Sequence, residues 1–416
     1  MRKILISCAS FATMLVTAGV RNLSVEVSSD EDGFTVISYV LSGEAAVITF
    51  DVLTNGVTVG AQGLSRVRGD VYKLIQPGSD VRVIRWRADR DLPKRMFESG
   101  DFDVRVTAWP TNDPPDYMVV NLVTNATVRT PQISYYPTID HLPAGGLSNR
   151  NYARNKIVMR KIPAANRIWR MGSSTAATDH DVMLTENYYI GIYELTVGQM
   201  TYMFGSSESV SKAATYYEVP RRAGYNVYRG ASWPTDGHAG ASGDIAILRD
   251  YTELEFDLPT EAQWEFAARG GEYNYALYTG TNVVVTDNLA PMLDEVAWYG
   301  YNSTNANGVC VLQCVGLLKP NAYGLYDVLG NVDEWCLDYW RALPGRAVTE
   351  VDPVGGASGN RVLRGGCYNQ SATQCSLEGR RNINPSWSND GKKGVDGSAA
   401  TAVFGVRLVC PAIAVR

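Results

Sequence analysis

Histidine is almost missing from this chain: there are three in 416 residues, at His141, His180 and His238, well separated from one another. With no second close cysteine pair beside Cys310 and Cys314, that scarcity argues against a zinc site. No Lys/Arg cluster with interleaved aromatics occurs and the formal net charge is −5, so nucleic acid is not an expected partner. No G-x-G-x-x-G follows a strand pattern and there is no Walker A run, which removes the nucleotide-binding folds. Beyond the first twenty residues nothing approaches eighteen continuous apolar residues, so no later segment is expected to span a membrane.

What is present is a loop-rich globular composition: 45% hydrophobic and 19% charged residues, 39 glycines and 24 tyrosines. The length favours two or three domains. Met1–Val20 begins with Arg2-Lys3, continues as an apolar run and reaches Val16-Thr17-Ala18, the pattern of a secretory signal cleaved after Ala18. The expected location is therefore outside the cytoplasm: periplasmic, cell-surface or secreted. Removing residues 1–18 removes Cys8 and leaves Cys310, Cys314, Cys336, Cys367, Cys375 and Cys410. An even number in an exported chain suggests disulfides, whose pairing the spacing does not decide.

From 19 to 123 short apolar–polar alternations are separated by turn formers such as Asn55-Gly56 and Gln76-Pro77-Gly78. This spacing predicts a small all-β sandwich of immunoglobulin or fibronectin type, either a contact module or a spacer. Residues 124–155, rich in Pro, Gly, Asn and Thr, are expected to be an interdomain linker with an extended first half. From 156 to 416 short strand patterns surround two capping boxes, Thr196–Gln199 and Thr260–Gln263, each opening a helix. The mixture predicts an α+β domain. Its densest stretch is Asn321–Trp340, where Gly324 and Gly330 mark a tight turn leading into a short buried strand.

Six stretches of this rear domain carry a resemblance: RMGS (Arg170–Ser173), YYIGIYELTVGQM (Tyr188–Met200), LPTEAQWEFAARGG (Leu258–Gly271), KPNAYGLYDVLGNVDEWCLDYW (Lys319–Trp340), RVLRGG (Arg361–Gly366) and FGVRLV (Phe404–Val409). In this order they resemble the formylglycine-generating enzyme (sulfatase-modifying factor) family, which implies a variant of the C-type lectin fold. The family includes copper oxidases as well as domains that only bind.

The resemblance implies two sites. A calcium ion is expected on the side chains of Asp327 and Glu334 and the carbonyls of Gly330 and Val332, mixed oxygen donors that suit this cation; Asn288 is a weaker candidate for a second calcium. In the family's oxidases two thiolates hold Cu(I), which soft sulfur ligands suit. The first of these positions is Gln370 here and the second is Cys375, with Cys367 as the candidate substitute ligand and catalytic partner. The resemblance also implies a Cys336–Cys375 disulfide. Two functions follow. One is a non-catalytic, calcium-stabilised module binding a peptide, protein or glycan; the other is a copper-dependent oxidase converting a substrate cysteine to formylglycine.

Overall fold

A computed structural model describes residues 15–16, 22–30, 32–59, 64, 67–92, 94, 102–124, 130–143, 145–173, 178–204, 218, 220, 244–271, 291–383 and 404–415. It is mostly β with a few short helices. Two compact units emerge: Met1–Val119 with Gln132–Arg150 and Ala412–Arg416, and Val120–Pro131 with Asn151–Pro411. Of the expected export segment 1–18, only Leu15–Val16 falls among the described residues, pairing in parallel with Thr107 and Ala108. No helix among the described residues is long and apolar enough to cross a membrane.

The front unit has two sheets. Asp103–Pro110 and Ala46–Thr54 form the centre of one, and Thr35–Ser42 pairs with both Asn22–Ser29 and Arg82–Trp86 in the other. Thr35–Ser42 alternates buried and half-exposed positions along nearly its whole length, because successive side chains of a strand face opposite ways. Its Ile37 and Tyr39 meet Phe50, Ile84 and Trp86 in one apolar core. The segment expected to be a linker departs from that reading. It contains the strand Gln132–Tyr136 and the helix Asn151–Arg154, and Tyr135 is fully buried with its amide donating to the Tyr72 carbonyl. The polar, Pro-rich composition masked a tyrosine pair that buries apolar surface.

In the rear unit, Lys156–Ile162 pairs with Tyr188–Gly191, which pairs with Val409–Pro411. A second sheet is built on Asp333–Tyr339, antiparallel to Arg361–Arg364 and parallel to Phe404–Gly405, with Arg380–Ile383 beyond. Both capping boxes form. Thr196 accepts from the Gln199 amide at 3.2 Å while Gln199 accepts from the Thr196 amide at 2.9 Å, ahead of the helix Val197–Phe204. Thr260 and Gln263 do the same for Glu261–Ala268, and Gly270 follows its end at φ +65°. The helix Asp244–Thr252 was not anticipated.

Candidate functional site

The turn into Asp333–Tyr339 is built from three residues in left-handed backbone, Asp327, Gly330 and Asn331. Only glycine fits the middle position: a Cβ on Gly330 would lie 2.2 Å from the Trp298 carbonyl oxygen. The turn is stitched on both sides, the Gly330 amide donating to the Gly365 carbonyl and the Asn331 amide to that of Trp298. Thus Asp327, Gly330, Val332 and Glu334 do come together on one turn.

Their side chains, however, are engaged elsewhere. Glu334 is fully buried; Arg407 Nε lies 3.0 Å from each carboxylate oxygen and Nη2 donates to Oε1 at 2.6 Å. The Trp264 indole donates to Oε2 at 2.6 Å. Both oxygens are saturated by protein donors. Asp327 Oδ2 accepts from the Gly316 amide at 2.6 Å. A calcium ion takes six to eight oxygens, and this donor set, with its central carboxylate tied to a guanidinium, does not fit one. Among the described residues no three His, Cys, Asp or Glu side chains are arranged to hold a metal ion. Asn288 lies outside the described residues.

Glu194 was missed by sequence reasoning. It is fully buried under the turn, accepting from Asn331 Nδ2 at 2.8 Å and from the Val332 amide at 3.2 Å. Burial first, then the charges of Asp327 and Glu334, push its carboxyl well above the usual carboxylate range. Only its place just ahead of the Thr196 capping box sets it apart in the sequence, and that does not announce a buried acid.

Glu334 and Asp338 face the helix Glu261–Ala268, accepting from the Trp264 indole at 2.6 Å and from the Glu261 amide at 2.7 Å, on a strand whose register is irregular between Trp335 and Tyr339. Asp333 occupies the opposite face, where its Oδ2 accepts from Gln370 Nε2 at 3.1 Å and pairs with Arg381. Burial raises the Asp333 carboxyl despite the pull of Arg381.

Cys367 and Cys375 gather on this second face. A Cβ on Gly366, at φ +77°, would lie 2.7 Å from Cys375 Sγ, so the glycine admits the thiol. Cys375 Sγ is 3.9 Å from the Cys367 carbonyl, and Cys367 Sγ is 3.1 Å from Asn369 Oδ1. Burial pushes both thiols up, further from the thiolate form. Gln370, standing where the family's first copper ligand falls, is a brace: its Oε1 accepts the Cys367 amide at 3.3 Å while its Nε2 holds Asp333. An amide held at both ends, standing where the family has its first thiolate, does not supply the soft sulfur ligand that Cu(I) takes.

The expected Cys336–Cys375 bridge is not formed, and no disulfide joins the cysteines among the described residues. Cys336 is raised by burial and then by the charges of Glu261 and Asp338, whereas Cys375 responds to Asp333 and Arg381 after burial.

Above the helix face lies a buried ion network. Arg364, 1% exposed, donates to Glu265 Oε2 at 2.5 Å and to the Leu377 carbonyl at 2.7 Å. Arg380 clamps Glu261 and stacks over Trp340 with 4.3 Å to the ring centroid. Burial works to raise the Glu265 carboxyl, but Arg269 and Arg364 outweigh it and hold it below its ordinary value. Arg380 and Arg381 are both tied to buried acids, Glu261 and Asp333.

The geometry is that of a rigid scaffold whose motif residues hold one another. Residues 157–395 match the family model of the sulfatase-modifying factor enzyme 1-like domain, and the chain belongs to that family. It is 36% identical over 123 residues to the formylglycine-generating enzyme of Thermomonospora curvata, a match covering 29% of this chain and 40% of that protein. A chaperone protein LppX of Paenibacillus barcinonensis is 27% identical over 203 residues, covering 41% of this chain and 69% of its own. Among solved structures, Treponema denticola variable protein 1 aligns with TM-score 0.44 and 27% identity over 62% of this chain and 95% of that one. The chain thus spans less than half the length of the Thermomonospora curvata enzyme.

Proposed function

We propose that the rear unit is a binding member of the family, a C-type-lectin-like domain that takes a peptide, protein or glycan outside the cytoplasm and does not convert cysteine to formylglycine. The observation that carries this is Gln370: it stands at the first copper position and is hydrogen-bonded at both ends to Cys367 and Asp333. Cys367 and Cys375 are 1% and 0% exposed, and burial pushes both thiols away from the thiolate form that soft-metal binding and nucleophilic chemistry use. Calcium is not part of the proposal, because Glu334 is occupied by Arg407 and Trp264.

The test is incubation of the purified chain with Cu(I), oxygen and a Cys-x-Pro-x-Arg peptide, followed by mass spectrometry of the peptide. The expected result is an unchanged peptide thiol. Conversion to the aldehyde that disappears in Cys375→Ser would overturn the proposal in favour of the oxidase.

A further inference from the structure

A pocket of about 280 Å³ opens within the rear unit, away from Cys367 and the Gly330 turn. Small-molecule sites usually begin near roughly 300 Å³, so this volume suits one side chain or a small amine rather than a cofactor. Leu184, Tyr188 and Val409 supply apolar wall. The Tyr188 hydroxyl donates to the Gln263 carbonyl at 2.6 Å, which fixes its ring in place.

The remaining lining is acidic. Glu186, Glu255, Asp257 and Asp352 contribute carboxylates, and no Lys, Arg or His among the described residues lines the pocket. Arg249 pairs with Asp257 at 2.7 Å. Asp352 is oriented by the Thr185 amide and hydroxyl, at 2.9 and 2.6 Å. Glu186 and Glu255 make no ion pair among the described residues. One wall also carries Cys410, 4% exposed, a free thiol that forms no hydrogen bond among the described residues and feels the Glu255 charge. Three exposed carboxylates that make no ion pair among the described residues therefore line the pocket together with apolar wall and a buried thiol.

We infer that this pocket binds a cationic alkyl group, the ammonium or guanidinium of a lysine or arginine side chain on a peptide partner. The apolar wall covers the methylene stem and the carboxylates meet the charged head, the division of labour that long basic side chains favour. A neutral glycan would leave the carboxylates unmatched, and an anionic ligand would be repelled. The inference does not depend on whether the Cys367 site is silent, so either can fail alone.

The experiment measures fluorescence anisotropy of labelled hexalysine with the full chain, against hexaglutamate. Saturable binding of hexalysine alone is expected, weakened at least tenfold by Glu186→Gln with Glu255→Gln. These two exposed carboxylates have no ion pair to lose, so their removal should leave the fold intact, checked by circular dichroism. A control pair in the front unit, Asp32→Asn with Asp80→Asn, should bind like the parent. Bound hexalysine should also slow alkylation of Cys410 by iodoacetamide, read by peptide mapping. Free lysine amide competes if the head group and stem suffice; failure to compete assigns the site to an extended peptide. Absent binding, equal loss in both variant pairs, or no protection of Cys410 would overturn the inference.

Discussion

The front and rear units solve the problem of a buried core in opposite ways. In the front unit the buried residues are apolar, with a few threonines and His141, and no Asp, Glu, Lys or Arg among its described residues is buried. The rear unit buries Glu194, Glu261, Glu265, Asp333, Glu334 and Asp338 together with Arg269, Arg364 and Arg407. Apolar packing tolerates small volume changes in proportion to the surface lost. A buried ion network does not, because removing one partner strands the other charge in a poor solvent. The rear unit should therefore be brittle to charge removal, and the front unit graded in its response to truncation.

The sharpest break is Arg407→Met. It leaves Glu334 buried with only the Trp264 indole, and should destabilise the rear unit by about 3–5 kcal/mol in urea unfolding. Ile84→Val in the front core, also fully buried, should cost about 0.5–1.5 kcal/mol. Equal costs would erase the contrast.

Next is Gly330→Ala. Left-handed backbone costs an L-residue roughly 1–2 kcal/mol, and the new Cβ would meet the Trp298 carbonyl at 2.2 Å. A total loss of about 3 kcal/mol is expected from strain plus backbone displacement. The same substitution at Gly56 of the front unit, also at positive φ but with open space around it, should cost only the backbone strain. Thermal unfolding of both variants compares the two terms.

The third prediction uses pH. Burial and the neighbouring Glu261 charge push Asp338 up to about 7. A carboxyl raised in this way binds more protons folded than unfolded, so its contribution is fully present below about 4 and lost as pH rises through about 7. Asp338→Asn should remove that slope, gaining on the order of 1–3 kcal/mol relative to the parent at pH 8 and nothing at pH 4. Urea midpoints at the two pH values decide it; identical slopes in parent and variant would count against a raised Asp338.

The smallest effect is Thr260→Ala. It removes one half of a capping box and should cost about 1 kcal/mol, seen as a modest shift in the urea midpoint.

Local features were legible wherever the chemistry involves near neighbours in sequence. Thr196 with Gln199 and Thr260 with Gln263 satisfy helix amides three residues away, and Gly330 marks a turn that no side chain can occupy. The apolar–polar alternation of Phe34–Leu41 announced a strand, which forms over Thr35–Ser42 with one buried face. The linker reading of 124–155 missed Tyr135 because its hydrogen bond to Tyr72 joins residues far apart in the chain. The calcium and copper expectations were carried by motif position, which places Glu334 and Gln370 but does not say what they touch.

Six ordered motifs were enough to place the chain in its family, since they record which residues close its turns and cap its helices. The partners of the charged residues are different in kind. Glu334 meets Arg407, 73 residues away, and Arg364 meets Glu265, 99 residues away. The pocket beside Cys410 brings together residues from four parts of the chain. Electrostatic pairing and cavity shape depend on distance in space, which sequence separation does not set, so these features appear only once the sheets are assembled.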